Sequence, residues 1–168
     1  MADAKRFLLT SSEISEREQP FSHPWNPKSQ LIGVQLSRSI GLKRTGVSIA
    51  RIPPGRESFV YHSHQSEEEW LYILSGRGIA EIDSEEIDVA AGAFMAFPTS
   101  SVPHHLKNPF DQDLVYLMDG ENREMEIADF PRLGKRMIRN GDKVDIYKVA
   151  DAKPFDRWRP DLQFSGSA

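Results

Sequence analysis

The sequence predicts an all-β domain, a sandwich or barrel, and three observations carry that reading. From Leu31 onward the chain runs in short alternating stretches, among them LIGVQLS, TGVSIARI, EWLYILS, GAFMAF, HHLKN and DLVYLM, which have strand length and strand period. Between the stretches stand PPG, SEEE, DSEE, AG, PTSS and NPFD, the residue types that turn a chain. No apolar repeat of helical period persists over three turns in this region.

Taken in order, residues 1–28 read as an extended N-terminal arm, because Pro20, Pro24 and Pro27 each lack an amide donor and bias the preceding residue away from helix. A short helical turn over 11–19 is the most that arm admits. Residues 29–130 hold the strand pattern and form the expected barrel. Residues 131–168 are an extension expected to pack on the barrel and to end in a polar tail. Here VDIYKVA reads as one more strand, and MEIADFPRLGKRM, which straddles the boundary, admits a short helical turn.

Composition narrows the function. A chain of 168 residues makes one domain, and the absence of Cys removes disulfides, thiolate metal sites and a cysteine nucleophile. Any metal must then be held by His, Asp or Glu. Residues 1–130 carry 12 Lys+Arg against 20 Asp+Glu, and residues 131–168 carry 9 against 5. The basic excess of the extension is interspersed with Asp142, Asp145, Asp151, Asp156 and Asp161, so it reads as solvated surface with no nucleic-acid partner. A mean hydropathy of -0.50 and a longest apolar stretch of Val89–Phe97 give no membrane span. The opening MADAKRFLLTSSE has too few apolar residues for a secretory h-region, and a cytoplasmic location is expected.

Four of the five histidines fall in two segments. His62 and His64 stand two apart, so on a strand they project from one face as paired imidazoles. After the turn, Glu67, Glu68 and Glu69 are candidates to return a carboxylate beside them. Alternation favours Glu69, which shares a face with Leu71 and Ile73, while Trp70, Tyr72 and Leu74 take the other. In the second segment His104 and His105 are adjacent, and only one of them can join the same inward site. Three nitrogens and one carboxylate oxygen suit a divalent transition ion and leave positions open for a ligand. His23 has no partner in sequence and reads as structural or exposed. Phe59, Tyr61, Trp70 and Tyr72 are expected on faces opposite the ligands, in sheet packing or an interface. Met95, Phe97, Leu106 and Tyr116 are expected to line the cavity, and Arg51, Arg77 and Lys107 are candidates to reach an anionic substrate at its mouth.

These residues resemble the two signature motifs of the cupin superfamily. His62, His64, Glu69 and Gly76 match the first, with Gly55 one residue farther from His62 than usual. Gly92, Pro98, His104 and Asn108 match the second, with Ser100 in place of a Gly and one extra residue before His104. The three-residue gap to Asn108 points to His104 rather than His105. The fifteen residues between Gly76 and Gly92 match the short inter-motif loop of small microbial cupins, and the likeness covers about residues 45–118.

The resemblance implies a cupin-type double-stranded β-helix, a jelly-roll barrel, with His62, His64, Glu69 and His104 holding iron, manganese, nickel or zinc. It also implies a homodimer. The layout is similar to single-domain bacterial cupins that are labelled sugar-phosphate isomerases by analogy. Family members include isomerases, dioxygenases, decarboxylases and non-catalytic binding domains, so the fold does not choose the reaction. Two functions are therefore carried forward. One is a metalloenzyme acting on a small polar substrate; the other is a module that binds or senses a small molecule without turnover. Isomerase chemistry requires a base, and Glu81 and Glu67 are the candidates.

Overall fold

Two antiparallel sheets, of six and four strands, enclose the principal core, and a third, four-stranded sheet closes one side. The computed structural model describes residues 4–154. Its strands are β1 (Gln19–Phe21), β2 (Leu31–Val34), β3 (Ser48–Ile52), β4 (Arg56–Glu57), β5 (Ser63–His64), β6 (Glu69–Ser75) and β7 (Arg77–Ile82). They continue with β8 (Glu85–Ala90), β9 (Phe94–Phe97), β10 (His104–Asn108), β11 (Leu114–Gly120), β12 (Met125–Phe130), β13 (Lys135–Asn140) and β14 (Lys143–Lys148). Two short helices, α1 (Ser11–Glu16) and α2 (Leu36–Ser39), complete the regular structure with three 3-10 turns. Among the described residues no helix is long and apolar enough to cross a membrane.

The first sheet has the order β1-β2-β3-β11-β6-β9, the second β4-β10-β7-β8 and the third β14-β13-β12-β5. Strand alternation places Ala50 and Ile52 of β3, Leu71 and Ile73 of β6, and Leu114 and Tyr116 of β11 in the core, facing Ala80 of β7 and Leu106 of β10. The all-β, double-sheeted architecture of the jelly-roll type is thus present.

Two residues of the sequence motifs have structural tasks. Gly76, between β6 and β7, has φ +78°, and a Cβ there would lie 2.2 Å from the Asp113 carbonyl oxygen, so only glycine fits. Asn108 is buried. Its Nδ2 donates to the carbonyls of Ile52 at 2.7 Å and Gln112 at 2.8 Å, and its Oδ1 accepts from the Phe110 amide at 3.1 Å. It ties the β10–β11 loop to β3.

The N-terminal segment is more ordered than an extended arm. Thr10 and Glu13 form a capping box at α1, and β1 pairs with β2 and covers the edge of the first sheet within the same chain. The short helical turn expected within MEIADFPRLGKRM is a 3-10 turn at Pro131–Leu133, and it stands between two strands that were not foreseen, with Gly134 left-handed at φ +59°. The buried positions on β12 are Glu126, Ala128 and Phe130. The apolar alternation that would announce a strand is broken because a glutamate takes one of them. VDIYKVA supplies β14, as expected.

The third sheet joins the barrel through β5, whose Ser63 and His64 pair with Asp129 and Ala128 of β12. A second small core of Val60, Ala128 and Phe130, packed by Trp25 and Met137, seals this junction. His23 sits against Trp25 and Phe130 with ring centroids at 5.2 and 5.9 Å, a packing role.

Candidate metal centre

His62 and His104 are cross-strand partners. The His104 amide donates to the His62 carbonyl at 2.8 Å and the reverse bond measures 3.3 Å, so their side chains leave the ladder on one face. His64, two residues on from His62, shares that face, and the His62 ring lies 4.9 Å from that of His64 and 5.1 Å from that of His104. The loop before β10 braces this arrangement. Ser101 Oγ accepts from the His64 amide at 2.7 Å, and the Ser101 amide donates to the His64 carbonyl at 2.8 Å. The extra residue that sets this loop apart from the family motif therefore lies where the chain grips β5.

Glu69 opens β6, whose register with Phe97 of β9 and Gly120 of β11 sets its carboxylate at the same end of the lumen. Its Oε2 is 3.0 Å from His104 Nε2 and 3.4 Å from His64 Nε2. Donor atoms of His62, Glu69 and His104 all lie within 4.8 Å of one another.

Each imidazole is oriented by its other nitrogen. His62 Nδ1–H donates to the Val60 carbonyl at 2.7 Å and His104 Nδ1–H to the Val102 carbonyl at 2.9 Å. His64 Nδ1 faces Glu126 Oε1 at 3.3 Å. The Nε2 atoms of His62 and His104 are then left to face the Glu69 carboxylate, a set that suits a cation, while His64 approaches Glu69 from a second grouping with Glu67 and Glu126. The donors of His62, Glu69 and His104 fit a divalent transition metal in type and spacing.

The electrostatics agree with that fit. Burial drives His62 down to about 4 against the upward pull of Glu69. Burial also pushes Glu69 upward, but the His104 and His64 contacts outweigh it and hold the carboxylate well below its ordinary range. His64 is lowered by burial and raised more strongly by Glu69, Glu126 and Glu67, for a net rise.

Glu126 is the site residue that sequence reading misses. It is 0% exposed, and besides His64 it accepts the amides of Gln65 at 3.0 Å and Ser66 at 3.1 Å. The third sheet thus supplies the carboxylate behind His64. The only sequence signal is a glutamate at a core-facing position of MEIADF.

Other candidates lie elsewhere. His105 is buried and borders the lumen, but its Nε2 is turned to Glu81 Oε2 at 2.9 Å, with Tyr61 packed edge-on at 5.7 Å. Glu81 is claimed by His105, by Lys107 at 2.7 Å and by Arg132, which also stacks over Tyr61 at 4.1 Å. Glu67 is bonded to Arg139 and to the Arg123 amide, and the Glu68 side chain is exposed. Neither proposed base therefore faces the lumen. Arg51 pairs with Asp113, Arg77 with Asp88 and Lys107 with Glu81 and Glu86, so none is turned to the cavity. Phe59 departs from expectation in the other direction and lines the lumen, because the chain bends at 59, between β4 and β5.

Beyond the ligand cluster the lumen is walled by Phe59, Leu71, Met95, Phe97, Leu106 and Met118. Its described lining includes no Lys, no Arg and no carboxylate besides Glu69. About 20 Å³ remains open within it, space for roughly one water-sized group. Ser58, His105 and Tyr116 are its remaining polar residues. Tyr116 is 1% exposed, and burial together with Glu69 keeps it neutral by pushing its pKa up.

Comparison with known proteins supports the same assignment. Residues 48–118 match the family model for the cupin domain. The crystal structure of a "putative sugar phosphate isomerase" from Acidithiobacillus ferrooxidans superposes with a TM-score of 0.88 at 32% identity, covering 92% of this chain and 99% of that one. An uncharacterised protein of Methanocaldococcus jannaschii is 34% identical over 68 residues, 40% of this chain and 52% of its own. The oxalate-binding protein of Thermotoga maritima is 33% identical over 67 residues, 40% of this chain and 54% of its own. The match thus spans about half the length of these two curated relatives. From its paired motifs, its double-sheeted barrel and its near full-length structural relative, the chain belongs to the cupin superfamily.

Proposed function

We propose that this cupin is a metal-dependent enzyme acting on a small, oxygen-bearing acid, with His62, His64, Glu69 and His104 holding one divalent ion, iron, manganese, nickel or zinc. The observation that carries the reading is the grouping of His62, Glu69 and His104 donor atoms within 4.8 Å, with His64 Nε2 3.4 Å from Glu69 and each imidazole Nδ1 tied off behind. Bound there, the ion supplies Lewis acidity toward a carbonyl or carboxylate oxygen, or redox chemistry if it is iron. The chain's own contribution is to fix the donors. The Val60 and Val102 carbonyls and Glu126 orient the imidazoles, and the apolar wall excludes water and so strengthens every charge interaction inside. Decarboxylase or dioxygenase chemistry fits this lumen better than isomerisation by a carboxylate base, since Glu81 and Glu67 are both engaged elsewhere.

A second reading, binding without turnover, is favoured by the same lack of a free base and by the likeness to an oxalate-binding protein. Elemental analysis of untagged protein purified without a metal column, beside the His62→Ala/His64→Ala variant, tests the first reading. Near-stoichiometric metal that vanishes in a folded variant is the expected result. No metal in either protein refutes it. With metal present, saturable oxalate binding without any product by mass spectrometry selects the second reading.

A homodimer in the cytoplasm belongs to the same proposal. Tyr72, Leu74 and Phe94 are exposed apolar side chains of β6 and β9, suited to a second copy. The absence of Cys accords with a reducing compartment. Light scattering at micromolar concentration that gives only monomer refutes the dimer.

A further inference from the structure

We infer that His105 is a specificity-determining residue of the lumen, whose Nδ1 accepts a hydrogen bond from a hydroxyl group of the bound ligand. The wall of the second sheet is interrupted beside this residue. The Ser58 amide donates to the Leu106 carbonyl at 2.8 Å, and farther along His62 and His104 exchange their two backbone bonds. Residues 59–61 therefore stand opposite the single residue His105, a bulge that spreads this part of the wall. Ser58 Oγ secures one end of the bulge by accepting from the Leu106 amide at 2.9 Å, and Phe59 turns into the lumen within it. Strand parity sends the His105 side chain away from that of His104, yet at this gap His105 borders the same cavity.

The ring is held from its far side. Its Nε2 lies 2.9 Å from Glu81 Oε2, and Glu81 is itself fixed by Arg132 and by Lys107 at 2.7 Å. A carboxylate accepts, so Nε2 carries the hydrogen and Nδ1 keeps a lone pair. Tyr61, packed edge-on against the ring, directs its hydroxyl to Ser84 Oγ at 3.3 Å. His105 Nδ1 is the buried side-chain polar atom that has no protein partner among the described residues, and the residue is only 7% exposed. An acceptor in that position beside a ligand cluster is matched to a donor that arrives with the ligand. The open space of about 20 Å³ admits one hydroxyl and little more. This contact rests on the function proposed above, in which the ion holds the acid's carboxylate.

The test compares glycolate with fluoroacetate, which is of similar size and lacks the O–H, by calorimetry on the zinc-loaded full chain. Wild type, His105→Gln and His105→Asn are measured, with metal content and melting temperature on the same samples. Glutamine keeps a donor for Glu81 but has no acceptor at the Nδ1 position, whereas asparagine keeps that acceptor and loses the Glu81 bond. Wild type is expected to bind glycolate about tenfold more tightly than fluoroacetate. His105→Gln is expected to hold its metal and lose that preference, and His105→Asn to retain it. Ring-nitrogen NMR of labelled wild type is expected to show the Nε2–H tautomer for His105 and an Nδ1 shift that glycolate moves and fluoroacetate does not. A preference that survives in His105→Gln places the hydroxyl elsewhere and overturns the inference, as does equal binding of the two acids by wild type. Loss of metal in both variants makes His105 structural and overturns it equally. An Nδ1 signal that glycolate leaves unmoved assigns that nitrogen to water only, with the same consequence. Wild type that takes up no zinc, or that takes up zinc and binds neither acid, fails at the proposed function and removes this inference with it.

Discussion

Replacing Glu126 by Gln removes one charge and almost no volume from behind His64. The carboxylate is 0% exposed and meets three groups: the amides of Gln65 and Ser66 at 3.0 and 3.1 Å, and His64 Nδ1 at 3.3 Å. Glutamine has one acceptor oxygen and one amide donor in the same space, so at least one of the two backbone N–H groups then faces another donor. His64 also loses an anionic acceptor, which makes its Nε2 a weaker ligand and frees the ring to turn. Loss of such a supporting carboxylate typically lowers metal affinity by about 10–100-fold, or about 1.4–2.8 kcal/mol. Competition between the protein and a chelator for zinc, followed for wild type and Glu126→Gln, measures the shift directly. Melting of the metal-free forms separates it from any loss of fold. Equal zinc affinity in the two proteins would refute the role assigned to Glu126, and with it the claim that the third sheet completes the site.

Two further outcomes follow from groups outside the ligand cluster. Arg132 chiefly, then Lys107 and His105, hold Glu81 at about 2 from an ordinary 4.5, against the upward push of burial. A carboxyl depressed on folding stabilises fully above its unfolded value and loses that contribution as pH falls through its folded one. About 3 kcal/mol at most should therefore disappear between pH 4.5 and 2, and Glu81→Gln should flatten that limb of an acid titration followed by circular dichroism. Asn108→Ala leaves the Ile52 and Gln112 carbonyls and the Phe110 amide without their partner. It should cost about 3 kcal/mol in urea unfolding while metal content in the folded protein is kept, and a loss below about 1 kcal/mol would contradict the anchoring role.

Strand parity made several placements legible in advance. The two-residue spacing of His62 and His64 and the apolar alternation after Glu69 are local, and the pleat converts them into shared faces; the choice of His104 over His105 came from the resemblance to the cupin motif. The all-β sandwich or barrel followed from that period together with the turn residues between the runs, and the grouping of His62, His64, Glu69 and His104 was what the family resemblance implied. Tertiary structure decided what depends on long-range register. The pairing of His62 with His104 and of His64 with Ala128 brings Ser101 and Glu126 to the ligands from segments that no local pattern connects. Glu126 even hid its own strand, because a buried glutamate interrupts the alternation that reveals one, and its amide partners lie some sixty positions away in sequence. Phe59 changed face because the chain bends between β4 and β5. Glu81, Glu67 and Lys107 were drawn from the lumen by partners distant in sequence. Alternation assigns a side of a strand from neighbouring residues alone, but whether a charged side chain on that side reaches a cavity or an ion pair depends on which strands and loops close over it.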